Sequence, residues 1–356
     1  MPIVPLYGHA TLRGRLAEAV ARGALPASLL LHGPRGIGKQ RLALWLGQLL
    51  ICSGEGARPC GACADCRYAV ALTHPDLRWF FPRPRLGDAD ASSREVLDDF
   101  VDAIGERAAQ SGLYAAPSGT EALFVATVRA ILQLASLTPT MARRKVFVIG
   151  DAERMVPQEG ADAAANAFLK LLEEPAADTT FILTSSEPGA LLPTIRSRVV
   201  SLRASPLGAE DVRAFLRDPF VAAALEKMEL PPGEEERVRL AAGAPGTLLG
   251  GARGEAALAA RDLLAALPKG DADWARAALR LGGSRARGFF SDVLDALVVQ
   301  LHERLHEAAR RADERRVAAL AAAIEATEEA KGRAAGNVSP QLLAASLARP
   351  LAEAMR

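Results

Sequence analysis

Short apolar runs alternate with amphipathic segments in the first 205 residues of the chain. Helical spacing of apolar positions separates these runs, beginning with Leu12, Leu16 and Val20 and returning several times afterwards. The runs of strand type cover residues 28–32, 74–81, 146–150, 179–186 and 199–202. Strands that alternate with helices in this way predict a parallel sheet with helices on both faces, and therefore an α/β fold.

The pattern changes after residue 205. Runs of strand type almost disappear, and Ala, Leu, Arg and Glu dominate, interrupted at 231–233 and 243–246 by Pro and Gly. We interpret this part as two all-helical units, 206–250 and 254–356. Near its end, Ser339 is expected to cap a final helix and Pro340 to begin it.

One segment of the first part has no clear periodicity. Residues 82–120 are rich in Pro, Gly, Asp, Ala and Ser, with one possible helix at 93–109. We interpret the segment as a flexible excursion from the core and assign it no chemistry.

Composition excludes some classes of protein. The 43 Lys and Arg residues balance 42 Asp and Glu residues, so no overall basic field indicates nucleic acid as the main partner. No apolar run is long enough to span a membrane, and Met1–Val4 lacks the charged start of a signal peptide. We therefore expect a cytoplasmic protein without a membrane partner.

All four cysteines of the chain lie close together. Their spacing, C-x7-C-x2-C-x2-C, leaves no thiol for a long-range disulfide, and the members are Cys52, Cys60, Cys63 and Cys66. Thiolates this close in a reducing compartment favour a tetrahedral Zn²⁺ site, so zinc is the expected structural metal. An iron–sulfur cluster and unrelated free cysteines are the alternatives.

A glycine-rich turn follows the first predicted strand and leads into a helix. Gly33, Gly36 and Gly38 allow backbone N–H groups to converge on a phosphate chain, and Lys39 reaches the outer phosphates. Ile37 and Gln40 complete the predicted nucleotide-binding residues of this loop, with ATP or ADP as the ligand. Gln40 stands where a P-loop has the Ser or Thr whose hydroxyl contacts Mg²⁺. The alternative is a glycine-rich turn without a ligand.

A second acidic position belongs to the same predicted site. Asp151 ends an apolar strand, where a P-loop protein has the Walker B acid that holds Mg²⁺. The next position, where a hydrolytic site has a water-polarising Glu, is Ala152. Glu153 follows one residue late and is expected to face the other way. The alternative role for Asp151 is that of a turn former.

In order and spacing, these motifs resemble the bacterial clamp-loader branch of the AAA+ proteins. The segments that carry the resemblance are Gly33–Lys39, Cys52–Cys66, His74–Asp76, Asn166–Pro175, Leu192–Arg198 and the tail from Asn337. The resemblance implies a RecA-like AAA+ module over 1–205 with a zinc insertion at 52–66, a helical lid over 206–250 and a helical collar over 254–356. Proteins of this family load a ring-shaped sliding clamp onto primed DNA as hetero-pentamers.

The departures from the family pattern indicate which kind of subunit this is. Gln40 replaces the metal-binding hydroxyl, Ala152 the polarising Glu, and Thr247 the nucleotide-sensing Arg of the lid. These changes match the non-hydrolysing stator, whose partners are the ATPase subunits and the delta subunit. The competing hypotheses are an autonomous AAA+ ATPase, either a motor subunit or a DNA-repair relative, and a nucleic-acid-binding zinc protein.

The resemblance also gives Arg198 a role. In clamp loaders the Ser-Arg of this box reaches across the subunit boundary to the γ-phosphate of the neighbouring subunit, so Arg198 is the expected arginine finger acting in trans. Here the following residue is Val199 where the family has Cys, which leaves the arginine's charge unchanged. From this chain alone, an ordinary surface arginine is the alternative.

Overall fold

The computed structural model describes the chain in several stretches. The described residues are 2–87, 91–115, 117, 121–155, 162–173, 175–176, 178–228, 230–249, 251–279, 286–334 and 340–355. They divide into two compact units, one formed by 1–227 with 231–249 and the other by 228–230 with 250–356. The division of the chain into module, lid and collar stays a prediction.

The first unit is built on a five-stranded sheet in which every pairing is parallel. The strands are β1 (Ser28–His32), β2 (Leu77–Phe80), β3 (Lys145–Ile149), β4 (Thr179–Ser185) and β5 (Val200–Arg203). Their spatial order is β2-β3-β4-β1-β5. In register, Leu30 of β1 lies opposite Leu183 of β4 and Ser201 of β5. Since all strands run the same way, their carboxyl ends share one edge of the sheet.

Helices and short 3₁₀ turns connect these strands. The helices of the first unit are α1 (Ala10–Ala21), α2 (Lys39–Ile51), α3 (Ala64–Val70), α4 (Ser93–Ala109), α5 (Val125–Ser136), α6 (Asp162–Glu173), α7 (Pro193–Arg196), α8 (Ala209–Leu216), α9 (Pro219–Leu225) and α10 (Glu234–Ala241). The predicted α/β fold class is therefore confirmed. The possible helix at 93–109 coincides with α4.

The inner strands are buried on both faces, with apolar side chains at their centres and buried Thr and Ser residues at the two ends of β4. Every residue of β3 and β4 is buried, whereas β5 forms an edge and exposes Val200. Phe147 and Phe181 stack across the β3–β4 pair with ring centroids 5.2 Å apart. This core holds the carboxyl ends of the strands, where the candidate site lies.

Helix α4 corrects the interpretation of 82–120 as an excursion from the core. Its first turn is fixed by a capping box, in which Ser92 Oγ accepts from the Glu95 N–H and Glu95 accepts from the Ser92 N–H. Val96 and Phe100 then bury their side chains in the core of the first unit. The local composition concealed this packing because only three positions of α4 are buried.

The second unit is helical, as predicted. It contains α11 (Gly251–Ala266), α12 (Asp271–Leu279), α13 (Ala286–Arg310), α14 (Glu314–Ala334) and α15 (Pro340–Met355). Apolar side chains from all five helices form one core, including Leu263, Trp274, Leu297, Leu320 and Leu347. Lys331 on α14 pairs with Asp295 on α13 at 2.7 Å. The predicted cap Ser339 lies outside the described residues. Among the described helices, none combines the length and apolarity that a membrane span requires.

Candidate nucleotide site and metal centre

The glycine-rich turn links β1 to α2 and requires glycine at specific points. Gly33, Gly36 and Gly38 all have positive φ, at 152°, 81° and 87°. A Cβ on Gly36 would lie 2.8 Å from the backbone nitrogen of Thr247, and the Gly36 carbonyl accepts from the Gly246 N–H at 2.9 Å. The loop is therefore held by backbone contact with the segment that contains Thr247.

Positive groups gather around this loop. The Lys39 ammonium is buried and donates to the Pro34 carbonyl at 2.8 Å and to Ser186 Oγ at 2.9 Å. Burial lowers the pKa of His32, and the charges of Arg203 and Lys39 lower it further. Together with the amino terminus of α2, these groups favour an anionic ligand. Ile37 serves the loop through packing, since its side chain is buried.

Gln40 lies between Asp151 and Trp79. Its amide nitrogen donates to Asp151 Oδ2 at 2.9 Å, and its amide oxygen accepts from the Trp79 indole N–H at 2.9 Å. The structure thus brings together the two residues predicted at the metal position, Gln40 and Asp151, but joins them by a direct hydrogen bond. The sequence did not predict Trp79 as part of the site. Trp79 lies in strand β2, and no motif in that strand marks a ligand-binding residue.

Glu153 does not face away from the site, so that expectation is wrong. Asp151 has a φ of 46°, which ends the strand, and the short 3₁₀ turn Ala152–Met155 then redirects the chain. As a result, Glu153 Oε1 accepts from the Ser186 N–H at 3.0 Å, and Ser186 is the residue that contacts Lys39. Burial raises the pKa of Glu153, and the charge of Asp151 raises it further.

The segment without assigned chemistry also reaches this site. Arg107 of α4 lies against three aromatic rings, with its Cζ 4.4 Å from the ring centroid of Trp79, 3.2 Å from that of Phe81 and 3.9 Å from that of Tyr114. Burial lowers the pKa of Arg107 to about 10, and the charge of Asp151 opposes that effect. No sequence motif marks Arg107, since its partners come from distant parts of the chain.

The four predicted metal ligands converge. All four sulfur atoms lie within 4.8 Å of one another, with Cys52 and Cys63 at 4.0 Å and Cys60 and Cys66 also at 4.0 Å. Tetrahedral zinc with bonds of about 2.3 Å places its sulfur ligands about 3.8 Å apart, so this donor set fits the metal. Backbone N–H groups point at the sulfurs of Cys52, Cys60 and Cys63 at 3.3–3.4 Å, which favours thiolates.

A buried polar network connects the cysteine segment to the sheet. His74 Nδ1 accepts from the Asp76 N–H at 3.0 Å, so the neutral ring donates from Nε2 to Asp65 on α3 at 3.1 Å. The carboxylate of Asp76 in turn accepts three backbone N–H groups, from Thr140, Met141 and Ala142, each at 2.7 Å. The His-Pro-Asp motif therefore braces the loop before β3, a role that the sequence did not indicate.

Arg198 is on the surface at the end of α7, with about a third of its side chain exposed. Its guanidinium donates from Nε to Glu173 Oε1 at 2.6 Å and from NH1 to the Thr194 carbonyl at 2.8 Å. The acidic partner is 25 residues away in sequence, which is why sequence inspection did not find it. A salt bridge of this exposure contributes little to stability.

Comparison with known proteins gives the family. A family model described as "DNA polymerase III, delta subunit" matches residues 8–208, more than half of the 356-residue chain. The chain belongs to the DNA polymerase III delta subunit family. The matched range contains the P-loop, all four cysteines, Asp151 and Arg198, so the predicted family resemblance is confirmed.

Individual relatives agree with the family assignment. DNA polymerase III subunit delta' of Pseudomonas aeruginosa is 35% identical over 223 residues, covering 61% of this chain and 52% of that protein. The delta' subunit of Bacillus subtilis is 28% identical over 213 residues, covering 60% and 52%. The chain spans about half the length of the curated relatives it matches. Among solved structures, a gamma subunit-related protein of Thermotoga maritima aligns with a TM-score of 0.40 and 15% identity, covering 96% of this chain and 100% of that one.

Proposed function

We propose that this chain is a clamp-loader subunit of the bacterial replicative polymerase and acts as its non-hydrolysing stator. It helps to load the sliding clamp onto primed DNA within a hetero-pentamer of ATPase subunits, a delta subunit and this chain. The family match and the delta' relatives support the clamp-loader role. The observation that carries the stator role is the hydrogen bond from Gln40 to Asp151.

Hydrolysis at a P-loop needs Mg²⁺ to bridge the phosphates and a group that activates water. Here the amide of Gln40 bonds to the acid that would hold the metal, and the residue after Asp151 is the buried Ala152. Thr247 packs against Gly36 and brings no positive charge to the loop. ATP or ADP is therefore held at residues 33–40 without turnover.

Two further parts of the proposal concern structure and assembly. Zinc held by the four cysteines is structural, since metal binding and folding of 52–66 are linked. The helical region 254–356 is the collar that binds the other subunits. A chain truncated after residue 249 is expected to lose co-purification with clamp-loader partners, and retained assembly would refute the collar role.

Arg198 is proposed as the finger that completes the neighbouring ATPase site. A guanidinium is always charged, and its planar fork donates to the equatorial phosphate oxygens as charge develops. The bond to Glu173 holds Arg198 at the surface, and Arg198 exchanges that carboxylate for the partner's γ-phosphate upon assembly. Arg196, the last residue of α7 and two positions before Arg198, is exposed and provides a matched control.

The test uses the reconstituted pentamer with Arg198→Ala or Arg196→Ala. Arg198→Ala should leave assembly and zinc content intact but lower turnover at the adjacent site by about 10³–10⁵-fold, the usual value of such fingers. Clamp loading then falls more than total hydrolysis, because other sites keep their own fingers. Wild-type clamp loading by Arg198→Ala would refute the role in trans.

If the isolated chain hydrolyses ATP at about 1 s⁻¹ or faster, it is an autonomous ATPase instead.

A further inference from the structure

Both polar atoms of the Gln40 side-chain amide form hydrogen bonds within the protein. Its nitrogen donates to Asp151 and its oxygen accepts from Trp79, and the side chain is only 5% exposed. A Cβ on Gly150 would lie 2.4 Å from the amide oxygen, so the amide also packs flat against the backbone of the Walker B turn. These contacts leave the amide oxygen directed at the indole, away from any cation beside Asp151.

The negative charge at this end of β3 is balanced by groups of the protein itself. The guanidinium of Arg107 interacts with the charge of Asp151 and rests on the same Trp79 ring that fixes Gln40. The second acid, Glu153, is engaged elsewhere, since its Oε1 accepts from the Ser186 N–H at 3.0 Å. A divalent cation binds where uncompensated oxygen ligands converge. Here Asp151 already accepts from Gln40, and Gln40 stands in place of the hydroxyl that would contact the ion.

The phosphate-binding half of the loop is intact by contrast. Lys39, the amino terminus of α2 and the left-handed glycines are all in place. Arg203 adds positive charge close to His32 at the same edge of the sheet. The loop thus keeps the groups that attract phosphate and has replaced the groups that attract the metal.

We propose that this loop binds the phosphates of a nucleoside di- or triphosphate without a divalent cation, and that Trp79 is a positioning residue that holds Gln40 in the place of the metal. This inference rests on the nucleotide binding proposed above. The nucleotide then acts as a fixed structural ligand of the first unit, stabilising it according to ligand concentration relative to Kd.

The experiment titrates ADP and ATP into the full-length chain by calorimetry, with and without MgCl₂. Buffers are depleted of metal with a chelating resin before the protein is added, since a soluble chelator would also remove zinc. We expect the two Kd values for each nucleotide to agree within roughly threefold, whereas a metal-dependent P-loop site loses affinity without Mg²⁺ because the ion bridges protein and phosphates. Lys39→Ala should abolish binding in both buffers, which places the ligand at this loop.

Two variants test the role of the amide. Gln40→Thr restores the hydroxyl and frees Asp151, so Mg²⁺ should now tighten ADP binding by about tenfold or more. Trp79→Phe keeps a ring under Arg107 but removes the indole N–H, and it should produce a smaller Mg²⁺ dependence. A merely structural role for Trp79 would change stability and leave the ratio of the two Kd values at the wild-type value.

A failure of this inference can be distinguished from a failure of the proposed clamp-loader function. A wild-type chain whose ADP affinity rises tenfold or more with Mg²⁺ overturns the inference, and so does a chain that binds no nucleotide in either buffer. Neither result affects membership of the clamp loader, which is judged by co-purification and by Arg198→Ala. If Trp79→Phe does not fold, the wild-type comparison and Gln40→Thr still decide the question.

Discussion

The cysteine cluster and the glycine-rich loop are both local motifs of the first unit, but the side chains around them differ in effect. In the cluster, all four sulfurs converge and backbone N–H groups support them. In the loop, Lys39 and the glycines are present, but Gln40 bonds to the acid that would hold Mg²⁺. The comparison shows that a motif can keep its backbone geometry while one side chain changes its chemistry.

The largest expected effect is the loss of zinc. Cys63→Ser removes one of four ligands, and structural zinc binding is worth about 10–16 kcal/mol at neutral pH in small zinc domains, so the metal content should fall clearly below one per chain. Elemental analysis measures this directly, and Glu55→Ala, an exposed change in the same segment, is the control. Full zinc in Cys63→Ser would show that the cluster is not the metal site.

A second prediction concerns the brace that joins the cysteine segment to the sheet. Asp76→Ala removes a buried carboxylate that accepts three backbone N–H groups, so we expect a loss of about 3 kcal/mol or more in the free energy of unfolding. Urea denaturation gives the value, and the exposed helical change Asp102→Ala should stay within about 0.5 kcal/mol of wild type. Similar stabilities for the two variants would mean that the brace is unimportant.

The loop can be tested with two glycines. Gly36→Ala places a Cβ against the Thr247 backbone at a φ of 81°, and we expect it to destabilise the chain by about 2 kcal/mol. Gly105→Ala, in open space within α4, should instead stabilise the chain by about 0.5–1 kcal/mol. Chemical denaturation compares them. Equal effects would show that Gly36 is not constrained by the contact with Thr247.

The smallest effect concerns the charge of Glu153. Because burial beside Asp151 raises its pKa in the folded state above the ordinary value of 4.5, the folded chain holds this proton more tightly than the unfolded chain. The contribution of this proton to the free energy of unfolding is fully present below the ordinary pKa. It is lost as the pH rises through the pKa that Glu153 has in the folded chain. Glu153→Gln keeps the acceptor for Ser186 and should gain stability relative to wild type between pH 4.5 and neutral pH. A difference that does not vary with pH would contradict the raised pKa.

The local patterns of the chain predicted much of the first unit. Apolar runs indicated β1, β3 and β4, because the centres of these strands pack into the core. The glycines of the loop act over a few positions, so the turn was predicted, and the possible helix at 93–109 proved to be α4. The interpretation of 82–120 was wrong about the core because the partners of its buried residues lie elsewhere in the chain, as Phe100 packs against Phe80 of β2.

The sequence by itself therefore determined the parallel sheet, the helical second part, the phosphate loop and the cysteine cluster, since each depends on residues near one another in the chain. Only the tertiary structure decided that Gln40 bonds to both Asp151 and Trp79, that Glu153 turns toward Ser186, and that Arg198 pairs with Glu173. These contacts join residues that lie 25 to 111 positions apart. Such pairs form where parallel strands end at one edge or where distant helices meet, and no local spacing encodes them.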